Sequence, residues 1–248
     1  MTDRKAFCVD DSMKRPLKKT RGTEDRVLNH DLLSGLPDDL TTGLFAAAPR
    51  VRLKPGKVLF RAGDAGNGCY RVEQGLLKVM IVSRSGSERI LTFLGPGAIV
   101  GELSMIDGLP RSASVISVHD STLRFVRRAA FKQLIQKHPE VYEPLVTLLA
   151  KRLRETDGVV AAMSFLRLRG RLARALLELA EDFGQDVGSG RIVIHQKIGH
   201  SDLAAMVGFA RENVTRILNE WKRTKLVTKL SGYYCLENLA KLEEQGEL

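Results

Sequence analysis

From residue 50 to about residue 128, short apolar and β-branched runs alternate with glycine turns. Leu76-Leu77-Lys78-Val79-Met80-Ile81-Val82 is followed by Ser85-Gly86-Ser87, and then by Arg89-Ile90-Leu91-Thr92-Phe93-Leu94. Evenly spaced strands with turn signals between them predict a β-sandwich or a jelly-roll-like barrel. The period then changes. Ala129 to Lys137 reads as a short helix closed by His138-Pro139. Beyond it, Val146, Leu149, Leu153, Thr156, Val160 and Met163 step by 3, 4, 3, 4 and 3. That is the seam of a long helix packed on a partner helix, or else on its own domain. The charges of Lys151, Arg152, Arg154, Glu155 and Asp157 around the seam favour a partly solvated dimer helix. Pro144 is expected to break or kink its first turn, and Gly158 to weaken its middle by roughly 1 kcal/mol relative to alanine. A break is expected after Leu166, with Arg169-Gly170-Arg171 as a boundary before a helix from Leu172 to Phe183.

The C-terminal third carries a different pattern. Ser201 to Val207 reads as a short helix with Ser201 as its N-cap, Gly208 as a tight turn, and Arg211 to about Lys225 as a second helix. At about 100° per residue, Val214, Ile217, Leu218 and Trp221 fall on one arc of that second helix. Arg211, Glu212, Thr215 and Arg216 fall on another, joined one turn later by Asn219. Lys225 to Leu230, Ser231-Gly232 and Tyr233 to Leu236 read as two strands and a tight turn. Together these make a winged helix-turn-helix. The polar arc has the donors and acceptors that major-groove reading uses, since arginine can donate twice to guanine and glutamate can accept from the cytosine amine. The same arc also fits a solvated amphipathic face.

Composition narrows the function classes. The chain has 248 residues, room for two modest domains, and a formal charge of +10. An excess of that sign favours an anionic partner, most often nucleic acid. Residues 1–28 hold many charges and little periodicity, and read as a disordered basic tail. No apolar run approaches the ~18 residues of a membrane span, and no signal core follows the N-terminus, so a cytoplasmic protein with no membrane partner is expected. Cys8, Cys69 and Cys235 form no CxxC pair. A zinc site is therefore not expected, nor a cubane iron–sulfur cluster, which takes four thiolates. No nucleophile–base pair emerges, so the chain does not read as an enzyme.

The candidate ligand chemistry lies at Gly101-Glu102-Leu103-Ser104 and, a short loop later, Arg111-Ser112-Ala113-Ser114. Gly101 lets the backbone approach a ligand closely. Glu102 can accept from a sugar hydroxyl, Arg111 offers a planar fork of donors suited to phosphate, and Ser112 adds a hydroxyl. An internal Glu102–Arg111 ion pair bracing the loop fits the same residues.

These segments resemble the phosphate-binding cassette of cyclic-nucleotide-binding domains. Leu53 to Asp64 is similar to that domain's opening strand and turn, and Tyr70 to Gly75 to its next glycine turn. Over about residues 30–240 the chain resembles the family of the cyclic-AMP receptor protein and the fumarate–nitrate regulators (CRP/FNR). Gly170-Arg171-Leu172-Ala173 and Val207 through Leu218 are further family-like segments. The resemblance implies an α+β fold: a cyclic-nucleotide-binding β-roll at 29–138, a dimerisation helix at 139–166 and a winged helix-turn-helix domain at 167–248. It implies a ribose contact for Glu102 and phosphate contacts for Arg111 and Ser112, with Gly101 and Leu103 lining the site. It also implies base reading by Arg211, Glu212 and Arg216, with Ser201, Thr215 and Lys229 of the wing near the DNA.

Two positions depart from the family pattern. Ala210 stands where many members have a serine cap, and Thr156-Asp157 stands where the best-known members have an adenine-facing Thr-Ser pair. The reading that follows is a homodimeric transcription regulator gated by a cyclic nucleotide, cyclic AMP foremost. It would bind an inverted repeat in double-stranded DNA and work with RNA polymerase. The alternatives are a regulator of the same fold that needs no ligand, a cyclic-nucleotide-binding regulatory subunit, and a haem-gated sensor, for which no axial-ligand pair is visible.

Overall fold

The computed structural model describes Phe45 and residues 48–247. The predicted basic tail and Cys8 lie outside these residues.

Eight strands form the first unit: β1 Arg50–Leu53, β2 Val58–Phe60, β3 Gly68–Gln74, β4 Leu77–Val82, β5 Glu88–Leu94, β6 Ile99–Val100, β7 Ser114–Ser117 and β8 Ser121–Arg127. They pair antiparallel as two four-stranded sheets, ordered β1-β8-β3-β6 and β2-β7-β4-β5. Val72, Leu77, Leu94, Val115 and Leu123 fill the space between the sheets. In β3, β7 and β8 these residues alternate with more exposed ones, as the two-residue period of a strand requires, whereas β4 and β5 also bury Met80 and Phe93 on their other face. A five-residue helix, α1 (Glu102–Ile106), leaves the sheet after β6. Arg128 holds its far end, donating to the carbonyls of Met105 and Ile106 at 2.9 and 3.1 Å.

Helix α2 (Arg128–Lys137), a 3-10 turn (Pro139–Val141) and the 24-residue α3 (Tyr142–Phe165) follow. The break or kink expected at Pro144 does not occur. Pro144 is the third residue of α3, within the first turn, where a missing N–H removes no interior helical bond. The seam of α3 lies largely in the open. Val146, Leu153 and Val160 are 61, 63 and 57% exposed, while Leu145 and Ala162 on another face are buried.

Leu166 and Arg167 are extended, and α4 (Leu168–Phe183) begins at once. Gly170 is therefore inside a helix and not a hinge or boundary. It is a packing glycine: a Cβ there would stand 2.8 Å from the Gln245 carbonyl oxygen and 3.2 Å from Leu166 Cδ2. Arg171 spans the elbow, donating from Nε to the Leu166 carbonyl and from Nη2 to the Met163 carbonyl, at 2.9 and 2.6 Å. It thereby satisfies carbonyls that the end of α3 leaves without helical partners.

The remaining chain forms β9 (Gly184–Asp186), β10 (Ile192–Ile194), α5 (His200–Val207), α6 (Arg211–Arg223), β11 (Val227–Leu230), β12 (Tyr233–Leu236) and α7 (Leu239–Gly246). The small sheet runs β11-β12-β10-β9. Ser231 and Gly232, both at positive φ, make the hairpin turn. Ser201 is not the N-cap of α5; Gly199 is, and Ser201 is an exposed residue of the first turn. One buried cluster joins the two units. Leu76, Met80, Ile90 and Phe93 of the first pack with Leu203, Val207, Leu176 and Trp221 of the second. Lys78 Nζ reaches Asp202 Oδ1 across this junction at 3.0 Å.

Candidate ligand and nucleic-acid sites

Gly101 adopts φ +84° as the N-cap of α1. This turns the chain so that Glu102 points inward, 3% exposed. Arg111 is 5% exposed, and three sets of contacts fix it. Its backbone N–H donates to the Asp64 carbonyl at 2.9 Å, and its carbonyl accepts from the Gly63 N–H at 2.8 Å. Its Nη1 donates to the Gly101 carbonyl at 2.7 Å. Its guanidinium carbon lies 4.3 Å from the Phe60 ring centroid and 6.0 Å from that of Tyr70, a cation–π arrangement. Only glycine fits at 101, where a Cβ would come within 2.2 Å of Arg111 Nη1. Arg111 Nε is buried with no acceptor. Burial pulls the Arg111 pKa down from its ordinary value, against smaller upward pulls that include Glu102 and Asp64; a guanidinium stays charged regardless.

The simple brace between Glu102 and Arg111 is not formed. Glu102 Oε1 is instead ion-paired with Arg152 Nη1 of α3, and Arg152 Nη2 donates to the Ile99 carbonyl at 3.3 Å. From the sequence alone Arg152 is one of the charges around the seam. Its signal was its position four residues before Thr156, whose hydroxyl donates to the Arg152 carbonyl at 2.8 Å. The turn thus brings together Gly101, Glu102 and Arg111, with Ser112 and Leu103 exposed beside them. Thr156 and Asp157 stand exposed one turn further along α3. Cys69 is buried nearby, and burial pushes its thiol up to about 12. Among the described residues no His, Cys, Asp and Glu cluster could hold a metal.

The second site is the face of α6. Val214, Ile217, Leu218 and Trp221 are buried, while Arg211, Glu212, Arg216 and Asn219 are exposed. Gly208 at φ +73° makes the turn between α5 and α6. Ala210 occupies the N-cap of α6 and supplies no side-chain hydrogen bond. Thr215 is half-buried and sits 2.9 Å from His200 Nδ1. Lys229 is turned inward: its Nζ donates to the Ile198 carbonyl at 3.0 Å and to the Tyr234 hydroxyl at 3.2 Å. Its ammonium is thereby committed to the domain and not held out from the wing.

Each of the two units matches a family model. Residues 50–138 match the cyclic nucleotide-binding domain and residues 170–245 the Crp-like helix-turn-helix domain. The cyclic AMP receptor protein of Thermus thermophilus is 38% identical over 194 residues, 78% of this chain and 86% of the relative. The chain belongs to the CRP/FNR family of transcription regulators. A CRP-like cAMP-activated global transcriptional regulator of Mycobacterium tuberculosis is 33% identical over 166 residues, 67% of this chain and 74% of the relative. The structure of FixK2 from Bradyrhizobium japonicum shares the fold, with a TM-score of 0.72 over 82% of this chain and 98% of that one, at 17% identity. As a CRP/FNR member the chain is a DNA-binding regulator and not an enzyme. No helix among the described residues is long and apolar enough to cross a membrane.

Proposed function

We propose that this chain is a homodimeric transcription regulator whose affinity for an inverted-repeat DNA site is set by cyclic AMP. The observation that carries the ligand reading is Arg111. It is a buried guanidinium with one donor unmet, and it rests on aromatic rings and a backbone carbonyl, not on a carboxylate. A charge held that way gains most from an anionic ligand. Arg111 and Ser112 would hold the cyclic phosphate, Glu102 the ribose hydroxyl, and Thr156 and Asp157 the base side. Gly101 and Leu103 shape the turn around it. Cyclic AMP comes first because relatives of 33 and 38% identity are named for it.

Dimerisation runs through Val146, Leu149, Leu153, Thr156, Val160 and Met163, whose outermost apolar members stand in the open in one chain. The two α6 helices would then enter successive major grooves about 34 Å apart. Arg211, Glu212 and Arg216 would read bases there, with Thr215 and Ser201 beside them. Ligand would act by binding one domain arrangement better than another.

Calorimetry with cyclic AMP, cyclic GMP and cyclic di-GMP on the purified protein tests the gating. Wild type is expected to bind cyclic AMP, and Arg111→Ala to lose about 2–5 kcal/mol of that affinity. Arg111→Lys should also weaken binding, since a point charge does not replace the fork. Equal affinity in wild type and Arg111→Ala would remove the phosphate role. DNA binding with no response to any of the three would favour the ligand-independent regulator.

A further inference from the structure

Thr215 sits in the middle of the polar arc of α6. It lines one open face with Arg211, Glu212, Arg216, Asn219 and Arg223, and each of those five side chains ends in a charged or amide group. A threonine in a helix can turn its hydroxyl back onto the carbonyl four residues earlier, as Thr156 and Thr224 do at 2.8 and 3.3 Å. Thr215 instead places its Oγ1 2.9 Å from Nδ1 of His200, the first residue of α5. His200 is half-buried. Burial first, and then the charges of Lys229 and Arg211, hold its pKa below 6.5. The ring is therefore uncharged at neutral pH and bonds the hydroxyl through one shared hydrogen.

That bond changes what Thr215 can offer DNA. A free hydroxyl donates to or accepts from many base edges and so discriminates poorly. The hydroxyl here is tied to α5. The γ-methyl leaves the same tetrahedral carbon, and a β-branched side chain is stiff about χ1, so one hydrogen bond sets the direction of both groups. The methyl is then what Thr215 has left for a ligand. An apolar group amid charged and amide neighbours has one counterpart among the major-groove edges, the C5 methyl of thymine.

We propose that Thr215 reads a thymine in each half-site by contact between its γ-methyl and the C5 methyl of the base, and that His200 is the positioning residue that holds Thr215 for this contact. The inference rests on α6 entering the major groove. The thymine would lie beside the bases met by Arg211 and Arg216.

The test starts from the duplex that full-length wild-type protein selects from randomised DNA in the presence of cyclic AMP. Each thymine of the half-site is replaced in turn by deoxyuridine, which removes the C5 methyl and nothing else. Wild type is expected to bind about fourfold more weakly when one particular thymine is replaced, the loss of one buried methyl. Thr215→Ser keeps the hydroxyl and lacks the methyl, and should bind the thymine and uracil duplexes equally. His200→Ala should bring the same ratio close to one, whereas a merely structural role for His200 would weaken both duplexes alike and leave the ratio at its wild-type value. A wild type with no uracil-sensitive position, a sensitivity that persists in Thr215→Ser, or a ratio unchanged in His200→Ala would overturn the proposal. Selection with Arg211→Ala separates the two levels. A relaxed motif there, with no uracil-sensitive position in wild type, removes the thymine contact and leaves the reading helix standing; an unchanged motif removes both.

Discussion

His200 stands at the first position of α5 with its ring against Thr215 of α6, so one titratable side chain joins both helices of the DNA-binding motif. Burial holds its pKa below the ordinary 6.5, and the charges of Lys229 and Arg211 push the same way. Above that value the ring is neutral in the folded and unfolded chain alike, and contributes nothing to pH dependence. Below it the unfolded chain takes up the proton first, so stability falls as pH is lowered through the window between 6.5 and the folded value. His200→Gln keeps a hydrogen-bonding group and removes the proton. Denaturant midpoints measured at neutral and mildly acid pH should show a smaller acid loss in His200→Gln than in wild type. Parallel pH profiles in the two proteins would exclude His200 as the source.

At the scale of elements, α3 carries two jobs on two faces. Arg152 reaches into the Gly101–Arg111 turn, while Val146, Leu153 and Val160 face outward. Leu153→Glu is expected to give monomers in sedimentation and to weaken binding to a two-half-site DNA much more than to a single half-site. The linked second contact is lost while each domain stays intact. A dimeric Leu153→Glu protein would move the interface elsewhere. The faces of α3 and α6 were legible in the sequence because helical periodicity is local: the seam at Val146, Leu153 and Val160 and the buried arc from Val214 to Trp221 both follow from spacing. The partners across space were not. Nothing local tells that Glu102 meets Arg152, that Lys229 folds onto Tyr234, or that Gly170 faces the carbonyl of Gln245. Each depends on how elements dozens of residues apart are docked. The short strands β9 and β10 escaped for a related reason, since three residues show no period and are held by pairing with each other and with β12. The Gly101–Arg111 turn was legible as a set of residue types, but its internal pairing was not.

At the scale of the molecule, the buried cluster does not stop at the domain boundary. Phe93, Ile90, Met80 and Leu76 share it with the helices of the DNA-binding domain, and Lys78 meets Asp202 beside it. Pulling the two units apart would open that shared interior to water, at about 25 cal/mol for each Å² of apolar surface uncovered. Neither unit can then lose its structure without stripping contacts from the other. Heating should melt the protein as one cooperative body: scanning calorimetry is expected to give a single endotherm whose calorimetric and van't Hoff enthalpies agree per melting unit. Two resolved peaks would mean that the lobes melt independently. One cooperative transition also makes the molecule its own thermometer, because a ligand that binds only the folded state raises the melting point of both lobes, whichever end it occupies.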